Sequence, residues 1–190
     1  MSHPTAYTAE NTVPLPTDAE LREVLGDGYN PDTTLNVAKM FAGTQDLCPA
    51  AFGMVQAVFQ AEGISPRTRE MIVLRAAKVL DSPYEWQANA VMAKNTGLSE
   101  REIEAAADDG PVTGIDAEYV LVCRATDELS KTGTLTDATV SELLKHLGVV
   151  GARKIILLIA WFNLLSLFLN GCRVPLETTD KIGTGTTPMG

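Results

Sequence analysis

The chain has 190 residues, of which 45% are hydrophobic and 21% charged, and its formal net charge is −9. That balance fits one globular domain large enough for a real core. An acidic chain with no basic stripe is a poor match for a nucleic-acid backbone, and two histidines leave too few ligands for a histidine-based zinc site.

The chain opens on Met1-Ser2-His3-Pro4, with no basic segment leading into an apolar run. No secretory signal is read there, so the expected compartment is cytoplasmic. Residues 1–16 are polar, contain prolines and show no periodicity. They read as a flexible arm, ordered against a neighbouring subunit if at all. Thr17-Asp18-Ala19-Glu20 is a capping box that starts a short helix ending near Gly26. A second helix is expected after Asp32, carrying Leu35, Ala38 and Met40. A third is expected from Asp46 to Gly63, with Leu47, Phe52, Val55 and Phe59 facing a core.

Residues 64–97 predict two helices joined by a tight corner at Asp81-Ser82. Ser65 caps the first, and Pro66 takes the first helical position, where a missing N–H costs nothing. Ser82-Pro83-Tyr84-Glu85 reads as a capping box for the second, which closes on Gly97 with Leu98 beyond it. Ser82, Glu85 and Asn89 share one face of that helix. Glu70 lies on an apolar stripe with Val73, Leu74 and Ala77, so it is expected to be buried. It then needs a partner, with Arg67, Arg75 or an arginine from another helix as candidates, or a raised pKa.

Ser99-Glu100-Arg101-Glu102 predicts another capped helix, ending near Asp109-Gly110. Asp116 caps a longer one that ends at Gly133. A helix capped at Thr136 is expected to end at Gly148. Residues 155–169 are almost wholly apolar. That run is shorter than the ~20 residues a bilayer requires, and Asn163 and Ser166 interrupt it. It is expected to be buried in the domain centre or between subunits. No stretch alternates as a strand would. The fold class is therefore all-α, with about eight or nine helices in one domain over residues 17–176 and a tail over 177–190. Cys48, Cys123 and Cys172 are far apart and odd in number, and read as small core residues.

Glu70, eleven residues, then Ser82-x-x-Glu85-x-x-x-Asn89 resembles the carboxymuconolactone decarboxylase and alkylhydroperoxidase D superfamily. The peroxidase branch has Glu, eleven residues, Cys-x-x-Cys-x-x-x-His. The decarboxylase-like branch has a Tyr-Glu-Trp, seen here as Tyr84-Glu85-Trp86, with a His usually following. This chain has Asn89 at that place and Ser82 where the first Cys would be. The likeness spans residues 35–176. It implies an alkylhydroperoxidase D-like helical fold, a homo-oligomer (trimer or hexamer) and a lyase of the decarboxylase-like branch. Such an enzyme would act on a small lactone or carbonyl metabolite bearing a carboxylate. It implies no cofactor, no metal and no nucleic-acid or membrane partner.

In that reading Glu70 transfers the proton. Glu85 and Asn89 organise the substrate, and Ser82, Tyr84 and Trp86 wall the pocket. Asn can orient a carbonyl but cannot transfer a proton near neutral pH. The residues leave other assignments open: a structural Glu70, a Glu85 that only caps its helix in ionised form, and packing roles for Tyr84 and Trp86. His146 sits in a last helical turn where a cation suits the dipole. The alternatives are a related lyase, isomerase or hydrolase, or a non-catalytic oligomeric binding protein. A thiol peroxidase conflicts with the sequence, since a dithiol relay requires two near cysteines.

Overall fold

The structure, a computed structural model, describes residues 2–4, 7 and 11–188, with backbone alone at 179 and 180. The rest of the expected arm, and residues 189 and 190 of the expected tail, lie outside the described residues. The described part contains nine α-helices and no strand, so the all-α expectation holds.

The first helix, α1 (Asp18–Leu25), begins with the expected Thr17–Glu20 capping box. The next, α2 (Asn36–Ala42), starts later than Asp32 predicts. The Asn30 side chain accepts the Asp32 N–H, and the Asn30 carbonyl accepts the Thr34 N–H. These bonds hold residues 30–34 in a turn. Helix α3 (Cys48–Phe59) is preceded by a 3₁₀ turn, Gln45–Leu47, in which Gln45 has φ 53°. That turn takes Leu47 out of the α3 register, so it is exposed and not part of the core. The helix also stops at Phe59, short of Gly63.

Helix α4 (Pro66–Val79) is the centre of the domain, and Thr68 through Ala77 are all buried along it. It packs against α5 (Pro83–Asn95), α6 (Glu100–Ala106), α7 (Ala117–Thr132) and α8 (Asp137–Cys172). The enclosed stretch 68–77 has no solvent face for its charges, so Arg75 must be satisfied internally. Its guanidinium spends all five N–H groups. Two go to Asp127 at 2.7 and 2.8 Å, and three go to the carbonyls of Ala106, Asp108 and Gly110. Those carbonyls turn toward Arg75 where α6 ends, earlier than the sequence predicts. The expected capping box at Ser99 and the Asp116 cap are both present, and Gly133 ends α7 in the left-handed conformation.

Helix α8 is capped by Thr136 and runs from Asp137 to Cys172 with one break, at Gly148 (φ 66°, ψ 178°). The chain resumes its helix at once rather than ending there. By length and composition α8 is long enough and apolar enough to cross a membrane, and 44% of its most apolar window is buried in the domain. Its burial is one-sided. Ile155, Ile159, Phe162 and Leu169 enter the core, while Leu157, Leu164 and Leu167 form an exposed stripe at helical spacing. After Arg173 the chain runs back over α2 and α5 and forms a short helix, α9 (Thr179–Ile182). The described residues near the N-terminus lie along the same domain. The Val13 N–H donates to the Cys172 carbonyl, Tyr7 donates to the Asn170 side chain, and the His3 ring meets Trp86 at 4.9 Å.

Candidate active site

The site is set by the corner between α4 and α5. The Ser82 N–H donates to the Ala77 carbonyl at 2.8 Å and the Asp81 N–H to that of Lys78. This is a helix-ending motif with Asp81 at its left-handed position (φ 49°), where glycine is the usual occupant. The Asn170 side chain donates to the freed carbonyls of Leu80 and Asp81. The second helix closes as expected: Gly97 (φ 91°) and Leu98 return their N–H groups to Lys94 and Ala93.

The expected capping box at Ser82 is absent. Ser82 stands at the cap position, but its hydroxyl makes no cap bond and is buried with no partner among the described residues. Glu85 does not reach back to the cap N–H, because its carboxylate turns inward. The Asn89 amide approaches that carboxylate at 3.3 Å and also donates to the Glu85 carbonyl at 2.8 Å. An ionised, exposed Glu85 at a helix start is therefore corrected to a buried carboxyl. Burial and the nearby charge of Glu70 raise its pKa from 4.5 to about 8, against the Asn89 amide, which lowers it.

Glu70 is fully buried, as its stripe predicts. Its partner is neither Arg67, which pairs with Glu102, nor Arg75, which pairs with Asp127. It is the next residue, Arg69, whose Nε lies 3.2 Å from Oε1. The long Arg69 side chain folds back across the Phe59 ring, 4.2 Å from its centroid, and donates to the Phe59 and Thr186 carbonyls. Burial raises Glu70 to about 7, with Arg69 opposing. Oε2 of Glu70 is buried with no partner among the described residues. The charge of Glu70 thus adds to burial in raising the second buried carboxyl, Glu85.

The cavity beside this pair is apolar and pinched, about 30 Å³, with Val37, Phe41, Phe52 and Trp161 in its wall. Tyr84, Glu85 and Asn89 supply its polar atoms. Glu70, Ser82 and Trp86 do not line it. Glu70 reaches Glu85 through its charge, Ser82 sits at the corner, and Trp86 faces His3. A second, wider cavity of about 630 Å³ shares Leu35, Ala38, Phe52, Met92 and Pro188 with the first and forms its vestibule.

Sequence reasoning missed Glu177. It is buried, and one of its oxygens accepts from both the Tyr84 hydroxyl and the Asn36 N–H. The Val37 N–H donates to the Tyr84 oxygen at 3.0 Å. The Glu177 backbone exchanges two hydrogen bonds with the Gln87 amide, each 3.0 Å. Burial, followed by the Glu177 charge, raises the Tyr84 pKa well above its ordinary value, so the phenol stays neutral. Glu177 follows an apolar helix in Val174-Pro175-Leu176-Glu177, and nothing in that spacing marks it. Arg69 was equally hidden, because neighbours in a helix do not normally face each other.

All three cysteines are free, with Cys48 and Cys123 buried. Burial pushes the Cys123 thiol up to about 12, far from a reactive thiolate. Among the described residues no group of side chains is arranged to hold a metal.

Residues 46–128 match the model of the Carboxymuconolactone decarboxylase family. That span contains α3 to α6, most of α7 and both site carboxyls, while Glu177 lies beyond it. No curated protein and no solved structure matches the chain.

Proposed function

The match over residues 46–128 supports membership of the carboxymuconolactone decarboxylase and alkylhydroperoxidase D-like superfamily, and from that premise we propose a cofactor-independent enzyme of the decarboxylase-like branch. Its substrate is a small lactone or related carbonyl compound with a carboxylate placed to leave as CO₂. The observation that carries this reading is Glu85, a carboxyl at the wall of an apolar cavity whose pKa of about 8 keeps it protonated at neutral pH.

The chemistry balances without a cofactor. The bond from carbon to the carboxylate breaks, CO₂ leaves, and the electron pair enters the substrate's own carbonyl as an enolate. Glu85 gives its proton to the carbon and becomes a carboxylate, which then takes a proton from water. Each turnover consumes one proton. Glu85 replaces Glu70 as the donor because Glu85 faces the cavity. Burial sets the proton affinity of Glu85 first, and Glu70, held by Arg69, raises it further. The Asn89 amide holds the Glu85 carboxyl at the cavity wall, and the apolar walls strengthen every polar contact.

The test is a panel of carboxylated lactones and keto acids, with CO₂ release and solvent-deuterium incorporation at carbon as readouts. Glu85→Gln should lose turnover by about 10²-fold or more, the usual size of a general acid contribution. Wild-type turnover should fall as pH rises through about 8 and the donor ionises. Turnover that is indifferent to Glu85→Gln sinks this reading.

A related lyase, isomerase or hydrolase would use the same proton donor. One observation favours a second reading, a binding protein that has lost the chemistry: the histidine expected by resemblance is Asn89, which is tied to its own helix by the Glu85 carbonyl. A ligand that raises the melting temperature and is never consumed would favour it. Cytoplasmic location and a trimeric or hexameric assembly belong to the same proposal, with the exposed Leu157, Leu164 and Leu167 stripe as the assembly's apolar contact.

A further inference from the structure

One lysine lines the vestibule and a second stands beside it, and nothing so far has used either. Lys181, at the end of α9, is in the lining. Lys39, on α2, is outside the lining, and its side chain approaches that of Lys181. Burial, and then the charge of Lys181, hold the Lys39 amine below its ordinary value. Like charges are not brought together in a half-buried place without cost. Among the described residues no carboxylate is within ion-pair distance of either. Glu177 and Asp18 act on Lys39 only at longer range, and both are engaged elsewhere. Glu177 binds Tyr84 and Asn36, and Asp18 accepts the Tyr29 hydroxyl at 2.7 Å.

The wall that carries Lys181 is built rather than loose. The Asn95 amide donates to the Gly183 and Gly185 carbonyls at 3.0 and 2.8 Å, and Arg69 donates to the Thr186 carbonyl. The volume, about 630 Å³, lies within the ~300–1,000 Å³ that small-molecule sites occupy. The lining mixes Leu25, Phe52 and Met92 with the threonines at 33, 34 and 184.

We propose that Lys181, with Lys39 beside it, forms an anion-binding subsite at the edge of the vestibule, which takes a carboxylate of a small lactone-type metabolite while its apolar part extends toward the cavity at Glu85. The carboxylate bridges the two ammonium groups and removes their repulsion. In a chain of net charge −9 this pair also gives an anionic metabolite a local cationic mouth to approach. The ligand class rests on the functional reading above, whereas the binding test does not depend on turnover.

The probes are 5-oxotetrahydrofuran-2-carboxylate and its uncharged methyl ester, titrated calorimetrically into the full chain. The acid should bind at least about tenfold more tightly than the ester, as charge-assisted bonds to a carboxylate imply. Lys39→Gln and Lys181→Gln should each remove about that factor for the acid and leave the ester unchanged. Lys145→Gln, at an exposed position elsewhere, should change neither. Equal binding of acid and ester, an unaffected Lys39→Gln/Lys181→Gln double variant, or no binding of the acid overturns the subsite. Lysine-dependent binding with no carboxylated lactone turned over would refute the decarboxylase and leave the subsite standing. CO₂ release unchanged in the double variant would do the reverse.

Discussion

Glu85 makes stability depend on pH in a direction opposite to that of an ordinary salt-bridged carboxylate. Its folded pKa is about 8, against 4.5 for the free side chain. Between those values the folded chain keeps a proton that the unfolded chain has lost. Stability is therefore full below about 4.5 and declines as pH rises through about 8. At about 1.4 kcal/mol per unit, the span from 4.5 to about 8 corresponds to a loss of about 4–5 kcal/mol. Glu70 rises to about 7, but its charge is one cause of the Glu85 shift, so the two losses overlap and are not summed. A typical domain has only ~5–15 kcal/mol in total, so the effect is large enough to measure.

The perturbation is Glu85→Gln, which keeps the shape and cannot ionise. Urea unfolding would be followed by the fluorescence of Trp86 and Trp161 from pH 5 to 9, at one fixed protomer concentration. At pH 5 the variant should lie within about 1 kcal/mol of wild type. At pH 9 it should be the more stable of the two, so the two curves cross. Parallel curves, or a wild type whose stability is level from pH 5 to 8.5, would refute the assignment of a buried, protonated Glu85.

Other outcomes follow from the same packing. Arg75→Lys should cost about 3 kcal/mol or more by urea midpoint, because an ammonium cannot replace the fork that holds Asp127 and three carbonyls. Tyr84→Phe leaves Glu177 and the Val37 N–H each one partner short. It should cost about 1–3 kcal/mol and speed protease cleavage in residues 177–188. Leu164→Glu, on the exposed stripe of α8, should shift sedimentation toward smaller species with helix content unchanged, and an unaltered assembly would place the contact elsewhere. No alkyl hydroperoxide reduction is expected with a dithiol donor. Thiol labelling of the native protein should reach half-buried Cys172 before Cys48 or Cys123.

The helices were legible where a local rule decides them. Thr17, Ser65, Ser99, Asp116 and Thr136 each mark a helix start by hydrogen-bonding an N–H that lies within the next few residues, which spacing alone can show. The burial of Glu70 was legible from its apolar stripe. Ser82-Pro83-Tyr84-Glu85 misled because the same four letters satisfy a local rule and a tertiary one. Burial of the α5 start removes the water that would keep Glu85 outward, and the inward arrangement wins. The Arg69–Glu70 pair was not legible because it depends on a long side chain folding back over Phe59. Glu177 was not legible because its partners lie 93 and 141 residues away.

That separation bears on how the molecule comes to life. A growing chain that has passed residue 128 already holds both carboxyls and the corner that aims them, but not the residue that pins Tyr84 and the start of α2. The pocket is sealed only when the segment beyond α8 folds back across helices made long before it. A nascent chain therefore passes through a stage with its acid groups in place and its walls open. Ribosome-stalled lengths ending on either side of residue 177 would locate the moment at which that wall closes.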